Sequence, residues 1–164
     1  MPLLRSIVHM ALDTFFVSCE RLLDSRLNYK PILIGGTSDR GVVASCSYEA
    51  RKFGIHSAMP MRMAKQRCPE AIVIKGNSST YTKYSRMVTD IIKEASPLYE
   101  KSSIDEFYID FTGMDRFHGV LKYSSELRQR ILKETGLPIS FGLSENKTVS
   151  KIATGEAKPD NQIQ

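Results

Sequence analysis

The sequence predicts an α+β domain, a mixed, largely antiparallel sheet backed by helices, and three observations carry that reading. Apolar stripes of helical period alternate with short apolar runs of strand length. A turn-rich stretch of short elements interrupts the alternation between about residues 20 and 77 and reads as a compact subdomain. Counted by type, the elements run βα, a small mixed insert, then αββαβα. The chain has 164 residues, 41% of them hydrophobic, enough for one domain with a real core or a domain carrying a small subdomain.

Residues 4 to 12 read as a short buried strand, and Asp13-Thr14 stand where the next helix needs its N-cap. Phe15, Phe16, Cys19, Leu22 and Leu23 then recur with helical period, which by itself makes Phe16 a core residue. Pro31-Ile32-Leu33-Ile34 is a compact strand ended by Gly35-Gly36, and Asp39-Arg40-Gly41 turns it into Val42-Val43-Ala44 as a hairpin. In the short helix from Ser47 to its closing Gly54, Tyr48 and Arg51 lie three apart and share a face. A phenol beside a guanidinium suits phosphate oxygens, and equally suits a surface Arg packed over a ring. Pro60 breaks the chain before a helix from Met61 to Arg67, and Ala71 to Ile74 is a strand.

An amphipathic helix spans about 80 to 95, with Tyr81, Tyr84, Val88, Ile91 and Ile92 on one side, and Pro97 stops it. Ser103-Ile104-Asp105-Glu106-Phe107-Tyr108-Ile109-Asp110 then sets two adjacent carboxylates at the mouth of an apolar strand. Neighbours in a regular strand point to opposite faces, so both acids serve one site only if they lie at a turn or strand end. Such a pair is either a hard-cation seat, suited to magnesium, or a solvated turn cap. Val120 to Lys133 is helical, Leu137 to Gly142 is a final strand, and a last helix runs from Lys147 to Ala157. Lys151 and Lys158 lie two turns apart on nearly one face, and a lysine at a helix C-terminus is also favoured by the dipole alone.

The 23 Lys and Arg against 18 Asp and Glu give +5 and a pI near 9.1, which favours a polyanionic partner such as nucleic acid. Cys19, Cys46 and Cys68 are odd in number and lack any CxxC spacing, so neither a disulfide framework nor a zinc site is expected, and a reducing, cytoplasmic setting fits best. Charged residues interrupt every long apolar run, so no signal peptide, spanning helix or membrane partner is expected.

Five stretches, in order, carry a family likeness: His9 to Glu20; Gly41 to Gly54 around Ser-Tyr-Glu-Ala-Arg-Lys-Phe-Gly; Ser57-Ala58-Met59-Pro60; Ser103-Ile104-Asp105-Glu106; and Lys151-Ile152-Ala153 through Ala157-Lys158-Pro159. Through them the chain resembles the N-terminal part of Y-family translesion DNA polymerases, of the bacterial DNA polymerase IV type. The resemblance implies a palm from 1–19 and 78–164 and fingers from 20–77, with the family's thumb and little-finger domains absent from this chain. It implies template-directed synthesis past damaged bases, in DNA repair, by two-metal nucleotidyl transfer from a deoxynucleoside triphosphate to a primer 3′-hydroxyl. Asp105, Glu106 and the backbone carbonyl of Leu12 would hold two magnesium ions. Tyr48, Arg51 and Lys158 would grip the triphosphate, and Phe16 would be the steric gate against ribonucleotides. Primer-template DNA would be the partner, with a sliding clamp engaged through a C-terminal peptide that this chain lacks.

One position departs from the pattern. Where the family has its first catalytic aspartate, in His-x-Asp-x-Asp, this chain reads His9-Met10-Ala11-Leu12-Asp13. Ala11 cannot coordinate a cation, and Asp13 corresponds to the family's second acid, so impaired catalysis is expected, on the order of 10²-fold or worse. An Asp-to-Ala change in an intact polymerase competes with a catalytically inactive accessory protein of mutagenic replication. Retention of Asp105, Glu106, Tyr48, Arg51 and Lys158 favours the first, because a scaffold has no use for a triphosphate pocket. A nucleotidyl cyclase, with paired acids on a similar sheet, is the reading from another class.

Overall fold

A computed structural model describes residues 5–96, 98–113, 118–144, 147–158 and 162–163. The elements in chain order are β1 (Ile7–Leu12), α1 (Phe15–Leu23), β2 (Ile32–Gly35), β3 (Val43–Cys46), α2 (Tyr48–Arg51), α3 (Met61–Arg67), β4 (Ile72–Ile74) and α4 (Ser78–Ala95). After them come β5 (Tyr99–Ser103), β6 (Glu106–Asp110), α5 (His118–Thr135), β7 (Ile139–Ser144), α6 (Lys147–Ala157) and β8 (Gln162–Ile163). The chain divides into two compact units, Met1–Asp13 with Thr82–Gln164, and Thr14–Tyr81. Leu4, read from sequence as the first strand's start, Pro97, read as a helix stop, and Pro159, the end of the last family-like stretch, lie outside the described residues.

The first unit holds a five-stranded sheet of order β5-β6-β1-β7-β8, antiparallel except where β8 runs parallel to β7. This is the α+β architecture that the sequence predicts. Central β1 is buried at all six positions, as a strand covered on both faces must be. One face carries Val8, Met10, Leu12, Phe107, Ile109, Ile139 and Phe141, all buried, and α5 packs onto β7 with Leu127 and Ile131 buried. The other face carries His9, Ala11, Glu106, Tyr108, Ser140 and Gly142, with α6 lying over β7 and β1. Helix α6 is pinned there by Ser150, whose hydroxyl donates to the Ile7 carbonyl at 2.7 Å. The Glu106 side of this face is left partly open.

The final strand starts at Ile139 and not Leu137, because Pro138 has no N–H for the ladder and uses its carbonyl to accept from the Asp13 amide. Strand β8 goes unread in the sequence, since two residues carry no periodicity.

In the second unit β2 pairs antiparallel with β3 and parallel with β4. Leu33, Val43, Cys46, Ala50, Met61 and Ala64 belong to one of its two buried apolar clusters, and Val17, Leu27, Ile32 and Ile34 form the other. Ser47 caps α2 by accepting from the Ala50 amide at 3.2 Å, and Gly54, at φ +80°, lets the chain leave the helix. Arg21 organises the loop after α1, donating to the Leu27 and Lys30 carbonyls and pairing with Glu49 at 3.1 Å. The three cysteines are buried and unlinked, and burial pushes the Cys19 thiol up to about 12.

The close seat of α6 generates a paired expectation. A Cβ on Gly142 would lie 2.3 Å from the Ser150 carbonyl oxygen and 2.5 Å from the Thr154 nitrogen, whereas one on Gly155 would meet nothing within 4 Å. Urea unfolding is expected to show Gly142→Ala destabilising by about 1–3 kcal/mol through overpacking. Gly155→Ala, within the same helix, is expected to stabilise by roughly 0.5–1 kcal/mol.

Candidate active site

The site is assembled on the partly open face of the first unit. The register aligns Ala11 with Glu106 on one side and with Ser140 on the other, so these three side chains project together. Asp105 lies in the turn between β5 and β6, where its carbonyl accepts the Leu12 amide at 2.9 Å. A register irregularity between Lys101 and Ser103 sets Ser103 opposite Glu106. Both carboxylates then face one hydroxyl: Ser103 Oγ lies 3.0 Å from Asp105 Oδ1 and 3.3 Å from Glu106 Oε2. The turn placement that the sequence requires for two adjacent acids to share a site is therefore present.

Cations and a buried histidine surround the pair. Lys158 Nζ lies 2.9 Å from Asp13 Oδ1 and 3.2 Å from the Leu12 carbonyl oxygen. Asp13 is 1% exposed and also accepts from Ser140 Oγ at 3.0 Å. The helix N-cap falls at Thr14, where the sequence places it, but no side chain caps it. The Asp13 side chain turns into the sheet, and Thr14 takes a left-handed conformation at φ 38° with no side-chain cap bond. Lys151, on α6, approaches Glu106 Oε1 at 3.4 Å, so the two lysines two turns apart meet two different acids. His9 Nε2 is also 3.4 Å from that oxygen. Burial, outweighing the attraction of Glu106, lowers the His9 pKa to about 4, so the contact at neutral pH is not an ion pair.

Burial also raises the Asp105 pKa, against the Ser103 hydrogen bond that favours its anion, and the Glu106 charge adds to the rise. A carboxylate made costly by desolvation and by a like charge gains from any nearby cation. Two carboxylates and a backbone carbonyl are the hard oxygen donors that a magnesium-sized ion takes, so the residues present fit such an ion in kind. In number they fall short: among the described residues no three His, Cys, Asp or Glu side chains cluster to hold a metal. Ala11, 4% exposed beside Glu106, is where a further carboxylate would stand.

The second unit carries the remaining predicted residues. Arg51 lies over the Tyr48 ring at 4.8 Å, the packing alternative left open by their spacing, and stacking keeps the guanidinium donors in its own plane. Phe16 is not simple core. It is half-buried against Val17, Ile32 and Ile34, and stacks on Tyr81 with centroids 4.5 Å apart at 27°. The Tyr81 hydroxyl donates to buried Glu20 Oε1 at 2.7 Å, and burial, with that bond, raises its pKa. Sequence reading missed Ser103, His9 and the Tyr81–Glu20 brace as parts of this chemistry. A serine two residues before an acidic pair is a legible signal, but a bond across 61 residues is not.

A model of the impB/mucB/samB family matches residues 10–155. The chain belongs to this family. It is 44% identical over 98% of its length to a DNA polymerase IV of Dehalococcoides mccartyi and 44% identical over 93% to one of Treponema denticola. It spans 42% and 39% of those relatives, less than half of each. Among solved structures it superposes on DinB from Sulfolobus solfataricus with a TM-score of 0.92 at 28% identity, covering 96% of this chain and 47% of that one. An insertion ternary complex of Dbh DNA polymerase gives 0.91 at 28%, with 96% and 47% covered. This membership in the impB/mucB/samB family, with relatives of the Y-family polymerase kind, accords with the likeness carried by the five sequence stretches. No helix among the described residues is long and apolar enough to cross a membrane.

Asp105 gives a signed pH expectation. Its pKa is raised in the folded chain, so its ionisation opposes folding above the folded value and ceases to do so as the pH falls to the ordinary 3.8. Asp105→Asn is expected to raise the melting temperature at pH 7, and thermal melts across pH should show the gap closing as 3.8 is approached.

Proposed function

We propose that this chain is the palm and fingers part of a Y-family translesion DNA polymerase whose nucleotidyl-transfer site lacks one carboxylate. The observation that carries this is the β1 register, which sets Ala11 beside Glu106 while Asp105, Glu106 and Lys158 stay in place. Asp105 and Glu106, with the Leu12 carbonyl, would hold two magnesium ions. What the ions supply when bound is charge neutralisation at the α-phosphate and the leaving pyrophosphate, and alignment of a primer 3′-hydroxyl. The Ser103 hydroxyl lies within reach of both carboxylates and can donate its one proton to either, with Asp105 the nearer.

Lys158, Tyr48 and Arg51 would bind the triphosphate, whose charge needs fixed donors once water is excluded. Asp13 keeps the Lys158 ammonium at the site, where it also opposes the raised pKa of Asp105. Phe16 would fill the space a ribose 2′-hydroxyl needs, and the Tyr81 stack, locked by Glu20, gives the ring the stiffness that steric exclusion requires. Primer-template DNA would be the macromolecular partner, in DNA repair and damage tolerance, with a sliding clamp contacted by parts of the longer relatives that this chain does not cover. Binding of this chain to DNA would be weak and steeply salt-dependent, since phosphate contact is its main source.

The alternative, an inactive accessory polymerase relative, is favoured by Ala11 itself. Calorimetric titration of a deoxynucleoside triphosphate with magnesium separates the two. The polymerase reading expects Ala11→Asp to bind roughly 10–100-fold more tightly than the chain as it stands, a ribonucleotide to bind more weakly, and Phe16→Ala to erase that preference. No nucleotide binding by either form would sink it.

A further inference from the structure

The proposed transfer gives His9 no role, yet it is 1% exposed in the middle of β1, on the face of the two carboxylates. Its ring is fixed on several sides. Tyr108 lies against it with centroids 4.8 Å apart, Thr154 Oγ1 is 2.8 Å from Nδ1, and Glu106 Oε1 is 3.4 Å from Nε2. Among the described residues Nε2 has no hydrogen-bond partner of good geometry, although it is fully buried. A buried orphan nitrogen aimed at a carboxylate asks where the ring proton lies.

Proton counting answers. The Thr154 hydroxyl has one proton and three acceptors in reach: His9 Nδ1 at 2.8 Å, and the His9 and Ser150 carbonyls, each at 2.9 Å. The carbonyls have backbone partners of their own, in the β1 ladder and in the α6 turn. Among the described residues Nδ1 has none besides this hydroxyl. With the ring proton on Nδ1, a bare Nε2 lone pair would face the Glu106 carboxylate out of water, which is repulsive. With the proton on Nε2, the same contact becomes an N–H directed at Oε1, and it shortens to a full hydrogen bond with a small movement of the glutamate.

We propose that His9 is a positioning residue for Glu106: the Thr154 hydroxyl donates to Nδ1, Nε2–H is thereby presented to Oε1, and the carboxylate is held in one orientation. Lys151 reaches the same oxygen but is 57% exposed, so it adds charge more than geometry. The Ser103 hydroxyl lies within reach of Oε2. The histidine fixes one oxygen from inside the sheet while the other turns towards Asp105. The purpose assigned to this geometry rests on Glu106 being a metal ligand; the ring geometry itself does not.

Two measurements test it. Long-range nitrogen–proton correlation on the chain labelled in its histidines, near neutral pH, reads the tautomer directly. The expected result is a protonated Nε2 on His9, lost to a mixture in Thr154→Val, and a protonated Nδ1 would overturn the proposal. Manganese affinity by electron paramagnetic resonance, measured in the Ala11→Asp background with melting curves as the folding control, reads the purpose. His9→Phe keeps a ring without donors and is expected to lose 10–100-fold, whereas His9→Gln, whose amide can donate near the Nε2 position, recovers most of it. Equal loss in both, or loss in neither, overturns the positioning role. If Ala11→Asp itself binds no manganese, the metal reading of the site falls and the purpose given to His9 falls with it, while the tautomer result stands.

Discussion

The chemistry of the first unit depends on the register of β1 between β6 and β7. Side chains alternate across a sheet, so a slip of β1 by one residue would carry His9 and Ala11 into the apolar layer and bring Met10 and Leu12 onto the face of Glu106 and Ser140. That exchange is forbidden by the buried face, where Val8, Met10, Phe107, Ile109 and Phe141 are each fully enclosed. Burial of each such side chain is worth about 1.5–3 kcal/mol, so the apolar layer fixes the position of the polar one. Gly142 completes the constraint by letting α6 touch the sheet, which brings Thr154 onto His9 and Lys158 onto Asp13.

What the site gains in preorganisation it gives back in stability. Asp105 is desolvated beside a second carboxylate, and Thr14 sits in a left-handed conformation that a β-branched residue seldom adopts. Asp13 is buried, and Lys158 and Ser140 meet its carboxyl group. Removing either partner would leave a charge with little water to turn to, a larger penalty than the pair's own net contribution.

Much of this was legible in the chain before folding. The stripes from Phe15, from Tyr81 and from Val120 gave helices at their observed places, and the turn before Glu106 followed from two neighbouring acids needing one face. The pairings that govern the site were not legible, because their partners are far apart in sequence: Asp13 with Lys158, His9 with Thr154, Glu20 with Tyr81. Asp13 next to Thr14 has the local form of a helix cap, yet no side chain caps α1 and the Asp13 carboxyl meets distant Lys158 instead. Phe16 shows the same limit. Its periodicity says core, and what makes it a firm, half-exposed wall is a stack with a tyrosine 65 positions on.

The most direct test of the central claim, that the β1–β6 face is a cation seat with one ligand position empty at Ala11, is paramagnetic broadening of backbone amides by manganese, in this chain and in Ala11→Asp. Saturable broadening centred on Leu12, Asp105 and Glu106 is expected in both, at lower metal concentration in the substituted chain. Broadening centred elsewhere, or unchanged by the added aspartate, would contradict it.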